Sequence, residues 1–473
     1  MRYRVFLMLL ASHFLVQGQD ISYDEKIGAE GELMVERQMG IYDDSVKAGF
    51  VNEIGFRLVD QLGPQPFDYT FKIVDMAEPN AFALPAGHIY VTRGILALAN
   101  TEDELAGVLS HEIIHSHRRH TVRQMKKSIL PGLLQIPGAI VSSVAPDLGR
   151  VFDPLTMGSQ AIIASHSRGH EKEADQYGIK IAGEAGYDPF QLATILKNLS
   201  QQAESMTGQE EKKNWLSDHP YTPKRIDYIY KNAEKIEVSG KKNIYKTRFD
   251  FLKQIDGLVY GDNPAQGVFN GPEFLHPDLD LFFLFPEKWR QMNTPTVVAA
   301  VDSTNSALIY LTLEHKYESA RMAADSIAYL YEMKTGNHVD DQKELFVNGL
   351  NANLISVIDR SGQKPMYIFL MWVEFNDLLI KITGAGYEKY KSRLQKSAES
   401  IRKLNAEEKK SIKKHVLRIR KARANESLED FNKRTGNEWD LSQTAIINGI
   451  DPSEKLQEGQ ILKISKLEPY QTK

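Results

Sequence analysis

The chain has 473 residues, 42% hydrophobic and 25% charged, the balance of a globular protein of about two or three domains. Lysine and arginine number 58 against 62 aspartates and glutamates, a net charge of −4, which argues against a nucleic-acid partner. There is no cysteine, so disulfides, thiolate metal sites and a lipidated N-terminal cysteine are excluded together.

Arg2 and Arg4 precede an apolar run from Val5 to Val16, shorter than the ~20 residues that span a bilayer. Residues 1–18 read as a signal peptide cut after Gly18, which places the mature protein in the periplasm or outside the cell. An uncleaved anchor is the alternative. Ile21 to Gly63 reads as helix, with Ile27, Leu33, Val35 and Met39 as a broken apolar face, and Tyr69 to Val74 as a strand. In EPNAFALPAGHIYVT, Asn80, Ala81, Phe82 and Ala83 form an edge strand halted by Pro85. Gly87 allows a tight turn, and Ile89 to Val91 return as the second strand. Such a hairpin either holds a substrate backbone by strand addition or is an ordinary core element.

The stretch Thr101–His120 reads as one helix. Thr101 with Glu104 fits a capping box, Glu102 to Glu104 put negative charge at the positive end of the dipole, and Leu105, Val108 and Leu109 form an apolar stripe. It carries HEIIH, His111 to His115. Histidines four apart share a helix face and can hold one Zn²⁺ between them, and Glu112 can take a proton from the attacking water. The longer HExxHxxGxxH pattern fails, because Arg118 and Thr121 stand at its glycine and histidine positions. His117 and His120 are read as surface residues. A gluzincin-type site instead takes a glutamate from a later helix, and SHSRGHEKEADQYG supplies Glu171. Asp175, four residues on, shares its face and can accept from a ligand histidine. Between these motifs, Met125 to Pro154 is apolar but broken by prolines. It reads as a buried helix–turn–helix, a lid or a docking patch.

HEIIH, SRGHEKEAD and HPYTPKRI (His219 to Ile226), together with NAFALPAGHIYVTRG, resemble the metallopeptidases typified by HtpX, the CAAX prenyl endopeptidases and periplasmic BepA. The resemblance covers roughly residues 25–235. It implies one zinc per chain on His111, His115 and Glu171, with Glu112 as the general base. It implies a place near the metal for His219, as a switchable ligand or a transition-state donor, and a site-supporting role for Arg225. It also implies protein or peptide substrates, misfolded or misassembled envelope proteins among them, and outer-membrane or other envelope partners. The chain lacks the multiple transmembrane spans of HtpX and shows no 34-residue helical repeat downstream.

The lysine-rich stretch Lys231–Lys246 reads as a linker. Strands at Leu281–Phe285, Leu308–Leu313, Leu354–Ile358, Pro365–Val373 and Asp377–Ile382, with helices at Glu318–Met333 and Tyr387–Lys403, make an α+β domain over 245–404 with no catalytic constellation. Residues 416–466 read strand, helix, helix, strand and resemble a LysM module, although Asn425-Glu426-Ser427 replaces the usual Gly-Asp-Thr entry. A LysM module implies peptidoglycan binding; a protein-contact domain is the alternative. The expected fold class is therefore α+β. A mainly helical gluzincin-type protease domain with a small sheet (19–235) is followed by the α+β domain and a small βααβ module. The rival functions are a peptidoglycan hydrolase and a non-catalytic envelope adaptor.

Overall fold

A computed structural model describes residues 3–65, 67–128, 166–205, 219, 222–360 and 364–472. The apolar stretch Met125–Pro154 lies outside them beyond residue 128. The chain divides into two compact units, one taking the described residues of 1–135, 158–262 and 415–468, the other those of 263–414 and 469–473.

The first unit begins with α1 (Tyr3–Gln38) and α2 (Ser45–Val59). From residue 21 on, the buried positions of α1 are Asp24, Gly28 and Val35, a helical stripe that Met39 continues just past its end. Leu33 falls off that stripe and is exposed, contrary to the sequence expectation. Asp44 starts α2 by accepting from the Lys47 N–H, and Phe50, Val51, Ile54 and Leu58 fill the core at helical spacing. A three-stranded sheet follows, β1 (Thr70–Val74), β2 (Ala81–Ala83) and β3 (His88–Thr92), in the order β1-β3-β2. β1 runs parallel and β2 antiparallel to β3. Gly87 turns the hairpin at φ +86, where an added Cβ would stand 2.8 Å from the Asp68 carbonyl oxygen.

Helices α3 (Arg93–Leu98), α4 (Glu102–His117) and α5 (His120–Ser128) come next, then α6 (Arg168–Glu184), α7 (Gln191–Ser205), α8 (Pro223–Ala233) and α9 (Arg248–Gln254), and the short strand β4 (Val259–Tyr260). Helix α4 lies at the centre of the unit, nearly every residue buried. Thr101 caps it by accepting from the Glu104 N–H, but the Glu104 carboxylate accepts from Asn100 and not from Thr101, so only half of the expected capping box forms. The first unit continues past Tyr245, where the sequence reading began a second domain. The Tyr245 N–H is held by Glu102 at 2.7 Å, and Phe251, Leu252 and Ile255 are buried in the same core.

In the second unit, β5 (Val268–Asn270), β6 (Glu273–His276), β7 (Leu281–Leu284) and β15 (Arg402–Lys403) make a four-stranded sheet in the order β15-β7-β6-β5. Strands β8 (Arg290–Asn293), β9 (Val298–Val301), β10 (Ala307–Glu314), β11 (Asp341–Val347), β12 (Leu350–Asp359), β13 (Met366–Phe375) and β14 (Leu378–Tyr387) make an antiparallel sheet in the order β11-β12-β13-β14-β10-β9-β8. Ala320, Ala323 and Ala324 of α10 (Ala320–Thr335) pack with Ile355 and Trp372 on one face of this sheet. Phe283, Phe285, Phe369 and Phe375 fill the main core of the unit. The closing helix is shorter than expected, α11 (Lys391–Ala398), because Arg402 and Lys403 pair with β7 instead. Helix α12 (Ala406–Ser411) follows.

The last segment returns to the first unit as β16 (Lys413–Lys421), α13 (Leu428–Thr435), α14 (Leu441–Asn448) and β17 (Ile461–Pro469), the expected βααβ order. Its strands join β4 in a sheet ordered β17-β16-β4. Leu417, Trp439 and Ile447 enter the core around α4. The buried Lys463 ammonium donates to the carbonyls of Ala97, Leu98 and Ala99 at 2.7–3.0 Å, closing the C-terminal end of α3 where the helix dipole favours a cation. Among the described residues no helix is long and apolar enough to cross a membrane.

Candidate metal centre

Two helices build the centre. On α4, His111 and His115 stand one turn apart, their Nε2 atoms 3.0 Å from each other. Helix α6 crosses beside them, capped by the Ser167 hydroxyl, with Glu171, Asp175 and Gly178 along one face. Gly178 permits the approach: an added Cβ would stand 3.2 Å from the backbone N and Cα of His111. That contact brings Glu171 to the histidines, with Oε2 3.6 Å from His111 Nε2 and Oε1 3.3 Å from His115 Nε2. His219 completes the group, its Nδ1 3.0 Å from both Glu171 oxygens and 3.2 Å from His111 Nε2.

His111, His115, Glu171 and His219 are all buried and offer ligand atoms within 4.8 Å of one another. Ligand atoms on a tetrahedral ion, at bond lengths of about 2.0–2.1 Å, stand about 3.3 Å apart. The observed spacings straddle that value, and four such groups converging in a buried pocket need protons or a cation between them. The residues therefore fit a metal ion.

The surroundings fix these ligands. Asp175 Oδ1 lies 3.0 Å from His111 Nδ1, which orients the ring and leaves Nε2 turned inward. Arg225, on α8, donates to both Asp175 oxygens at 2.9 and 2.8 Å and to the His219 carbonyl at 3.1 Å. Its Nη1 is 3.2 Å from Glu171 Oε2. Burial disfavours a charged His111, but hydrogen bonds and charge from Asp175 and Glu171 outweigh it and raise the imidazole to about 9. Burial also opposes ionisation of Glu171, yet the surrounding histidines hold it well below the usual carboxylate range. Burial, with His166 stacked on its ring at 3.9 Å, pushes His115 well below the ordinary histidine value. Glu112 is fully buried, with Oε1 3.5 Å from His219 Nε2.

The structure thus brings His111, Glu112, His115, Glu171, Asp175, His219 and Arg225 into one cluster. Asn80, Ala81, Phe82 and Ala83 are not among these groups; they are buried, Asn80 just before β2 and the other three on it. Asn80 Oδ1 accepts from the Ala81 N–H, and the Phe82 ring stacks on Tyr90 at 5.0 Å, so neither side chain is presented to a ligand. The backbone is different. Thr92 N–H bonds Asn80 O and Leu84 N–H bonds His88 O, so the N–H and C=O groups of Ala81 and Ala83 point away from β3, toward the sheet edge. The hairpin is pinned beside the site by Ser116, which accepts from Gly87 N–H at 2.9 Å and donates to Leu84 O at 3.1 Å.

One sequence reading is overturned. His120 is not on the surface; it is fully buried, with Nδ1 3.1 Å from His115 Nδ1. On a continuous helix it would point away, but Arg119 adopts φ +57 and ends α4 there, turning the chain back under His115. His117 is half-buried, 3.2 Å from the Tyr69 hydroxyl. The reading also missed Glu173, His166 and Gly178. The seven-residue spacing from Glu171 to Gly178, two helical turns, was the available signal for the last.

Residues 46–233 match peptidase family M48. The chain is 27% identical over 242 residues to the Beta-barrel assembly-enhancing protease of Yersinia pestis, covering 47% of this chain and 49% of that protein. Over 204 residues it is 27% identical to the protein of that name from Escherichia coli (strain K12), 41% of each chain. It is 32% identical over 158 residues to the mitochondrial metalloendopeptidase OMA1 of Arabidopsis thaliana, 33% of this chain and 30% of that one. The chain thus spans about half or less of the length of these relatives. Over residues 46–233, this chain carries a metallopeptidase domain of peptidase family M48.

Proposed function

We propose that this chain is a zinc-dependent endopeptidase with one zinc held by His111, His115 and Glu171. The observation that carries the reading is the convergence of those three side chains and His219, with Glu112 against the same pocket. Imidazole and carboxylate donors at tetrahedral spacing suit zinc. When bound, the ion polarises a carbonyl and lowers the pKa of water toward ~7.

The chain's own groups do the rest. Glu112 is the general base: it accepts a proton from the attacking water at a carboxylate oxygen and passes it to the leaving amine. His219 presents Nδ1 to the ligand group, where it is placed to close the fourth position, and Nε2 to Glu112, where it is placed to donate to developing negative charge. Asp175 and Arg225 hold His111 and the His219 loop still. The outward carbonyl of Ala81 and the outward N–H and carbonyl of Ala83 can pair with an extended substrate, the Ala81 N–H being taken by Asn80 Oδ1, which favours unfolded polypeptide.

Export to the periplasm rests on the N-terminal pattern of residues 1–18 and on the name of the assembly-enhancing relatives. The same name favours misassembled envelope proteins as substrates. The βααβ order of 413–469 supports the LysM-like reading, tested by pull-down on peptidoglycan. Casein cleavage tests the activity: wild type cuts and Glu112→Gln does not. Equal cleavage by both would remove Glu112 as the base, and muropeptide release in place of casein cleavage would select the hydrolase alternative.

A further inference from the structure

The outer nitrogens of the two α4 histidines are held in different ways. His111 Nδ1 meets a carboxylate directly, Asp175. His115 Nδ1 meets a second imidazole, His120, whose own Nε2 lies 3.2 Å from Glu173 Oε2. Glu173 is an acceptor kept charged by its neighbours, with Arg123 Nη1 at 3.3 Å and Arg118 Nε at 3.7 Å. A histidine facing a carboxylate donates to it, so the His120 proton sits on Nε2 and its Nδ1 carries a lone pair. The two Nδ1 atoms 3.1 Å apart then need one proton between them, and it belongs to His115. That leaves the His115 Nε2 lone pair directed at Glu171 and His111, into the metal centre.

We propose that Glu173 and His120 are positioning residues, a relay that fixes the tautomer and ring orientation of His115 for metal binding. The inference rests on the metallopeptidase reading and adds two residues to it. The fold is built to hold the relay. The left-handed Arg119 turns His120 inward, and Asp24 of α1 grips that arginine through Nε at 2.9 Å and Nη2 at 2.5 Å. His170 stacks on the His120 ring at 4.5 Å with the planes 4° apart, which stops the ring from tilting.

The test uses the full chain and reads zinc affinity by chelator competition, alongside nitrogen NMR of the histidine tautomers in the metal-free protein. His120→Phe keeps the stacked ring and removes both nitrogens; zinc binding is expected to weaken about 10–100-fold. His120→Asn restores an acceptor near the Nδ1 position and recovers most of the loss, which a merely space-filling role would not require. Glu173→Leu, which removes the acceptor for His120 Nε2, weakens binding in the same direction. Wild-type His115 shows a proton on Nδ1, and His120→Phe a mixture of tautomers. Unchanged affinity in a folded His120→Phe overturns the proposal. If that variant does not fold, unchanged affinity in Glu173→Leu, which leaves His120 Nε2 without an acceptor, overturns it. Wild type that binds no zinc refutes the metal reading itself, and the tautomer of His115 then still decides the relay.

Discussion

Arg225→Met strips the centre of its buried cation. Arg225 makes two bonds to Asp175 and one to the His219 carbonyl, and stands 3.2 Å from Glu171. Asp175 and Glu171 are 1% and 6% exposed, so the variant leaves two carboxylates buried without their nearest permanent positive charge. Breaking a buried ion pair from one side costs about 3–5 kcal/mol. At roughly 2–4 °C per kcal/mol, the metal-free protein should melt about 6–20 °C lower. Zinc beside Glu171 restores part of the balance, so the loss in the zinc-loaded protein should be smaller. Arg225→Lys keeps the charge without the two-pronged geometry and should fall between. The assay is thermal melting with chelator and with zinc. An unchanged midpoint in the metal-free variant would refute the role given to Arg225.

Gly178→Val forces side-chain atoms against the His111 backbone, which cannot yield. Stability should drop by about 1–3 kcal/mol, and chelator competition should show weaker zinc binding as Glu171 is displaced. Lys463→Met leaves three carbonyls at the end of α3 without their donor and should cost about 2–4 kcal/mol, read from the urea midpoint. In the second unit, burial opposes ionisation of Asp302. Bonds from Thr304, Tyr390 and the backbone of Ser306 and Ala307 outweigh it and hold the group at about 2. The unfolded value is about 3.9. The folded value is the lower, so its contribution, about 1–2 kcal/mol after solvent screening, is present above pH ~4 and lost as the pH falls toward 2. Asp302→Asn should flatten the acid limb of the stability curve over that interval; a curve that keeps its slope would discount Asp302.

Spacing made the centre legible. The steps of four positions from His111 to His115 and from Glu171 to Asp175 are helical periods, and both pairs lie on helices. The hairpin was legible because Pro85 and Gly87 punctuate it. His120 was not: its position depends on one left-handed residue, Arg119, and nothing local marks an arginine for that conformation. Nor was the return of the C-terminal segment to the first unit. Lys463 reads as an ordinary strand lysine until α3, more than 360 positions earlier, presents its carbonyls. The boundary near residue 245 was obscured for a related reason. The stretch is rich in lysine, yet Ile236, Ile244 and Tyr245 tie it to the core.

Zinc content and affinity of purified wild type and Glu171→Ala test the central claim most directly. Wild type should hold one zinc per chain, and Glu171→Ala should surrender it to a chelator at far lower concentration. Full stoichiometry and unaltered affinity in Glu171→Ala would show that the ion, if any, is held without the α6 carboxylate.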